Sequence, residues 1–298
     1  MENIPLVTSF QPEQCSDSQT LTFQVTSDLH PEYLHSNEID PFHNFLEVTA
    51  DILILAGDCG NLHRPEQFEN FLFEICKRYK YVIYVPGNHE FYHVKDVTGI
   101  AMKDLEERLT LIIDSVNSRF EGDITRLILL QRSAICIGDD LLIAGCTLWT
   151  DSVIQENDTF PSYIIKITWE IDSEGHHNIT QDQYNSLHQR DLEYVENIIE
   201  YAKHHNKKLM MITHHLPTGI PFSQEERDAT YSSLYYTDLE RLINQENMIY
   251  WICGHIHKTF NYNVNGTQLV SNQYGKPRNK NTDFQKDFVI NVDVNFSE

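Results

Sequence analysis

Five short clusters in this chain are built from residue types that bind metal ions: Ser27-Asp28-Leu29-His30, Gly57-Asp58, Gly87-Asn88-His89-Glu90, His214-His215 and Gly254-His255-Ile256-His257. Imidazole nitrogens with carboxylate and amide oxygens suit Mn2+, Fe or Zn2+, and a set without thiolates argues against a structural zinc site. A carboxylate has two oxygens with spare lone pairs and can bridge two ions, whereas an amide contributes one neutral oxygen. Taken singly, each cluster has a plain explanation. Asp58 can cap a following helix, Asn88 can serve a turn, and Gly87 and Gly254 can be turn glycines. With 15 histidines in the chain, an Asp-x-His arises readily by chance. Jointly the clusters share one property: each directly follows an apolar, strand-like run.

Those runs must position the clusters. Residues 21–26 alternate apolar and polar, as a half-buried strand does. Residues 51–56 are continuously apolar, as in a strand covered on both faces. Residues 81–85, 208–213 and 248–253 are also strand-like. Ligands of open α/β sheets gather at the carboxyl ends of strands, so five clusters at five such ends meet at one rim. Between the runs, residues 67–79 and 98–118 carry apolar residues at helical spacing. A long helix is expected over 182–205 and a short one over 238–244. Residues 127–130, 134–137 and 141–144, split by short turns, read as an antiparallel meander. Residues 260–264 and 268–271 read as a hairpin, and 288–294 as a closing strand. The βαβ units and the meander together predict two sheets with helices outside. Residues 1–20 are polar and read as a flexible N-terminal arm. Residues 21–298 form the main domain, with a polar insertion or lid at about 151–179.

The order Asp-x-His, Gly-Asp, Gly-Asn-His-Glu, His-His, Gly-His-x-His resembles the calcineurin-like metallophosphoesterase superfamily, over residues 21 to 294. The resemblance implies a four-layer α/β/β/α sandwich of two mixed sheets with a dimetal site at the strand carboxyl ends. It implies Asp28, His30 and His257 as ligands of a first metal, Asn88, His214 and His255 as ligands of a second, and Asp58 as the bridge. It implies His89 as the catalytic histidine, working with Asp58, and two divalent ions, Mn2+ or Fe, with Zn2+ as the alternative. The reaction implied is hydrolysis of a small phosphomonoester or phosphodiester by in-line attack of a metal-bridging hydroxide. A phosphoprotein phosphatase and a non-catalytic interaction scaffold with this fold are the competing readings. The arginine-bearing motif of protein phosphatases is absent after Asp58, and Asn61 stands where purple acid phosphatases carry a ligating tyrosine. Arg64, His63 and Arg278 lie beside motif loops and are candidate phosphate contacts, against the plainer reading of solvated side chains. His215 is a candidate supporting residue, because neighbours on a strand point to opposite faces.

Charge narrows the partners. Asp and Glu number 44 against 22 Lys and Arg, a formal net charge of −22. Such a chain is repelled by nucleic acid and by anionic membrane surfaces, and it needs local positive charge to hold an anionic substrate. Bound metals supply that charge. The six cysteines form no C-x-x-C pair, which suits a reducing compartment. The first 20 residues lack a secretory pattern, and no apolar run approaches a membrane span. The expectation is a cytoplasmic protein with a small phosphorylated substrate and neither nucleic-acid nor membrane partners; the sequence names no protein partner.

Overall fold

Residues 52–56 are buried on both faces, and that fixes the architecture. In the computed structural model, which describes residues 6–10, 18–34, 40–94, 99–120, 126–153, 160–161, 166–243 and 246–296, Ile52, Ile54 and Ala56 point into one core while Leu53 and Leu55 point into another. A strand sandwiched this way has no polar face to alternate, hence its unbroken apolar sequence.

In chain order the strands are β1 (Leu6–Phe10), β2 (Ser18–Thr26), β3 (Ile52–Ala56), β4 (Tyr81–Val85), β5 (Leu127–Leu129), β6 (Ser133–Ile137), β7 (Leu141–Cys146), β8 (Thr168–Asp172), β9 (Gly175–Asn178), β10 (Lys208–Thr213), β11 (Met248–Ile252), β12 (Phe260–Val264), β13 (Thr267–Ser271), β14 (Gly275–Lys276), β15 (Asn279–Lys280) and β16 (Val289–Asn295). The helices are α1 (Pro41–Asn44), α2 (Pro65–Cys76), α3 (Met102–Ser118), α4 (Gln181–His204), α5 (Gln224–Arg227) and α6 (Glu240–Ile243). A five-stranded sheet runs β16-β2-β3-β4-β5, and a seven-stranded sheet runs β1-β6-β7-β10-β11-β13-β12. Both are mixed. In the first, β2 to β5 are parallel and β16 is antiparallel.

Three cores separate four layers. Phe23, Val25, Ile83 and Val85 of the first sheet meet Ile135, Ile143, Met210, Ile212 and Ile252 of the second. The outer face of the first sheet packs Leu53, Leu55 and Val82 on α2 and α3 through Phe68, Phe71, Leu105 and Leu109. The outer face of the second packs Leu142, Leu209, Met211 and Trp251 on α4 through Val195, Ile198 and Ile199. This is the expected α/β/β/α order.

One local expectation is corrected. The strands around 127–144 are not one meander: β5 pairs parallel with β4, and only β6 and β7 pair antiparallel, in the other sheet. Leu130 lies in the core between the sheets, so the chain crosses there from one sheet to the other. Within the arm expected over 1–20, Leu6–Phe10 runs parallel to β6, whose edge offers unpaired backbone groups, and Ser18–Thr20 opens β2. Residues 1–5 and 11–17 lie outside the described residues. So do 154–159 and 162–165 of the expected insertion, whose described part includes the β8–β9 hairpin.

Candidate metal centre

The five clusters close their respective strands, but at two sheets rather than one. Ser27–His30 follows β2, Gly57–Asp58 follows β3 and Pro86–Glu90 follows β4 in the first sheet. His214–His215 follows β10 and Gly254–His257 follows β11 in the second. Backbone bonds tie the loops together: Asp28 N–H donates to Gly57 O at 2.9 Å, His30 N–H to Asp58 O at 3.0 Å and Gly254 N–H to His214 O at 2.9 Å.

The side chains converge. Asp28, His30 and His257 bring ligand atoms within 4.8 Å of one another, as do His30, Asp58 and His89, and again Asp58, His214 and His255. Asp58 belongs to two groups because Oδ2 lies 3.6 Å from His30 Nε2 and Oδ1 lies 3.4 Å from His214 Nε2. Asn88 Oδ1 completes the second side, 2.9 Å from His214 Nε2 and 3.1 Å from His255 Nδ1. All seven side chains sequence reasoning assigned as ligands therefore meet in one place.

The far nitrogen of three of these rings is already engaged. His30 Nδ1 lies 3.0 Å from Glu32 Oε1, His214 Nδ1 lies 2.9 Å from Ala56 O, and His255 Nε2 lies 3.2 Å from Leu234 O. An acceptor at the far nitrogen suits the tautomer that carries its proton outward and turns the inner nitrogen to a metal ion. Inner nitrogens then face each other, His30 Nε2 and His257 Nε2 at 3.2 Å and His214 Nε2 and His255 Nδ1 at 3.2 Å. A positive charge must stand between nitrogens this close, a proton in the metal-free chain or a bound cation in its place. The donor set fits divalent metal ions with N/O preference.

The electrostatics agree. Burial opposes charge at Asp58, yet His214, His89 and His30 hold its carboxyl well below the usual range. Burial likewise opposes charge at Asp28, and a hydrogen bond to His257 with the charge of His214 holds it low. Burial would depress His214, but Asp58 and Asp28 push it up to about 9, which measures how strongly two carboxylates demand positive charge there. Burial pushes His30 down to about 4. His255 is driven well below its ordinary value by burial and by His215 and His214.

The backbone bears the cost of this convergence. Of nine non-glycine residues with positive φ among the described residues, five are Asp28, His30, Asp58, His255 and His257. Such left-handed conformations are strained and cluster at functional sites. Gly57, at φ 89°, and Gly87 make room: a Cβ on Gly57 would lie 2.3 Å from His214 Nδ1, and one on Gly87 2.3 Å from Asp58 Oδ1. Glu90 is a buried brace. It accepts from the N–H groups of Asp58, Cys59 and Gly87 and from the Tyr84 hydroxyl, at 2.7 to 3.1 Å, and so locks the β3 and β4 loops to each other.

His89 stands at the rim, with 12% of its side chain exposed. Its N–H donates to Asp58 Oδ1 at 2.8 Å and its Nδ1 lies 3.3 Å from Glu32 Oε1. Asn61 donates to the carbonyls of His89 and Tyr92 and fixes this loop. Sequence reasoning missed Glu32 and Asn61. Glu32 is buried and touches both His30 and His89, and its Oε2 has no hydrogen-bond partner. The only sequence signal was an acid two residues after a ligand histidine.

The candidate substrate contacts fare differently. Arg64 lies at the start of α2 and donates to Glu32 O at 2.9 Å. His63 is buried away from the centre, both ring nitrogens without a hydrogen-bond partner. His215 is buried beneath the centre, its ring 4.2 Å from that of His255 and its Nδ1 3.2 Å from Thr147 O, which is a supporting position. Arg278 sits at the exposed turn between β14 and β15.

Comparison with known proteins places this geometry among relatives. The calcineurin-like phosphoesterase family matches residues 21–259. A curated protein of Acanthamoeba polyphaga mimivirus, described as uncharacterized protein L509, is 28% identical over 278 residues, covering 87% of this chain and 92% of its own. The crystal structure of phosphopantetheinyl hydrolase (PptH) from Mycobacterium tuberculosis superimposes with a TM-score of 0.56 at 18% identity, covering 86% of this chain and 90% of that one.

Proposed function

This chain belongs to the calcineurin-like phosphoesterase family and is a metal-dependent phosphoric ester hydrolase, and on that footing we propose that it hydrolyses a small phosphomonoester or phosphodiester at the Asp28–His257 centre. The observation that carries this reading is the set of inward-facing ring nitrogens at His30, His214 and His255, each ring anchored by an acceptor at its far nitrogen. In it Asp28, His30 and His257 would hold one ion, Asn88, His214 and His255 would hold a second, and Asp58 would serve both. Bound divalent ions supply Lewis-acid polarisation of the phosphoryl oxygens and a water activated near neutral pH.

The chain's own groups do the remaining work. Asp58 and Asp28 set the charge that retains the ions, and Asn88 adds an oxygen without adding charge. His89, at the rim and oriented by Glu32 at Nδ1, would pass a proton to the leaving oxygen. Glu90 and Asn61 keep the loops that present Asp58 and His89 from relaxing.

The test uses Mn2+-loaded protein with p-nitrophenyl phosphate and bis-p-nitrophenyl phosphate. Turnover of one of them, lost in Asp58→Asn together with bound metal, is the expected result. Full activity in Asp58→Asn would remove the proposed bridge.

A further inference from the structure

We propose that the β14–β15 hairpin and Tyr33 form a cationic lip that binds a second anionic group on the leaving alcohol of the substrate. This deepens the phosphoesterase reading and rests on it.

The hairpin is welded to the centre. Tyr274 N–H donates to Ser27 O at 3.1 Å and Gly275 N–H to Asp28 O at 3.0 Å. A Cβ on Gly275 would lie 3.3 Å from His257 Cβ, so the hairpin backbone runs flush against that residue. Its sequence, Gly275-Lys-Pro-Arg-Asn-Lys280, holds three cations in a chain with twice as many acids as bases. Lys77, Lys208 and Lys258 pair with carboxylates. Lys276, Arg278 and Lys280 form no ion pair among the described residues. Lys280 lies 5.1 Å from the Tyr274 ring centre, and Lys276 faces the Tyr33 ring.

Tyr33 joins the hairpin to the chemistry. It is 53% exposed, unusual for an aromatic packed on a site. Its ring centre is 5.7 Å from that of His30 and 6.1 Å from that of His89, and Lys276 Nζ lies 6.0 Å above it. The path from His89 through Tyr33 to Lys276 thus starts at the group assigned to the leaving oxygen. The opposite flank carries no comparable cationic excess. Beyond His255 come Tyr235, at 5.5 Å, then Phe222, where the acids Glu225, Glu226 and Asp228 are met by Arg227 and by Lys258, whose Nζ lies 2.8 Å from Glu226 Oε1. An ester with an anionic leaving group is drawn to the cationic flank, which orients it.

The experiment compares phenyl phosphate with 4-carboxyphenyl phosphate, reading phosphate release by Mn2+-loaded wild type, Lys276→Glu, Arg278→Glu and Lys77→Glu. The last variant changes net charge equally, far from the site. Taking the ratio of kcat/KM for the two esters within each protein, and comparing it between proteins, cancels their intrinsic reactivities. The expected result is a wild-type ratio favouring the carboxylated ester, lowered about tenfold in Lys276→Glu. The change falls mainly in KM and is absent in Lys77→Glu. A ratio that Lys276→Glu and Arg278→Glu leave unmoved overturns the lip alone, with the phosphoesterase standing. Failure of wild type to hydrolyse both esters overturns the lip together with the reading it rests on.

Discussion

Glu32 contacts two histidines at once, at 3.0 Å and 3.3 Å, and is the residue on which the proposed division of labour can be tested most directly. Glu32→Gln keeps the volume and removes the charge. It should lower kcat/KM about 10- to 100-fold, the usual cost of losing a partner that orients a metal-binding histidine. His89→Ala should lower kcat about 10²- to 10⁴-fold while two metal equivalents remain by elemental analysis. His89 lies in one of the ligand-spaced groups with His30 and Asp58. Loss of one metal equivalent in His89→Ala would therefore reassign it as a ligand. The ligand types were legible in the sequence because each closes an apolar run. Glu32 was not, since its tie to His89 spans 57 positions and exists only once β2 and β4 lie in one sheet. Nor was the left-handed backbone at Asp28, His30, Asp58, His255 and His257, which the surrounding loops impose rather than the residues themselves.

At the level of elements, α4 reaches the centre through a single loop. Asp191 is fully buried, accepts from Arg132 at 2.9 Å and from the Trp149 N–H at 3.2 Å, while His188 Nδ1 lies 2.5 Å from Trp149 O. Both backbone polar groups of Trp149 are thus held by one helix. The Trp149 ring in turn packs on His215, which packs on His255. Asp191→Ala leaves Arg132 partly buried without its closest carboxylate, a loss worth about 3–5 kcal/mol in buried pairs. For a chain of this size the midpoint of thermal unfolding should fall by roughly 6–20 °C. A fall below 2 °C in a thermal melt would mean that Glu106, 3.4 Å from Arg132, takes over. Elements with strong periodicity were readable: α2 and α3 present the apolar faces expected, α4 the expected length, and β3 and β4 the continuous runs. The assignment of β5, β6 and β7 to one meander failed for a physical reason. Short strands joined by short turns look alike whether the chain folds back within a sheet or steps across to the sheet facing it.

At the level of the whole molecule, the two sheets are joined by an apolar core, and both end in polar groups at the same rim. Three of the five clusters come from one sheet and two from the other. Metal ions held there would cross-link the layers, and they would bind the folded chain only. An ion present at a thousandfold its dissociation constant then adds about 4 kcal/mol of stability. At about 2–4 °C per kcal/mol for a chain near this length, Mn2+ should raise the melting midpoint by about 10 °C over the chelated protein. The 44 acidic residues complicate the measurement, because a surface this negative also gathers cations loosely. Asp58→Asn separates the two effects. It leaves the surface untouched and removes the one carboxylate shared between the two ligand groups. The Mn2+-dependent shift should shrink to a small fraction in Asp58→Asn, whereas diffuse binding would shift both proteins equally. Equal shifts would place the stabilising ions on the acidic surface and leave the rim between the sheets without its proposed role.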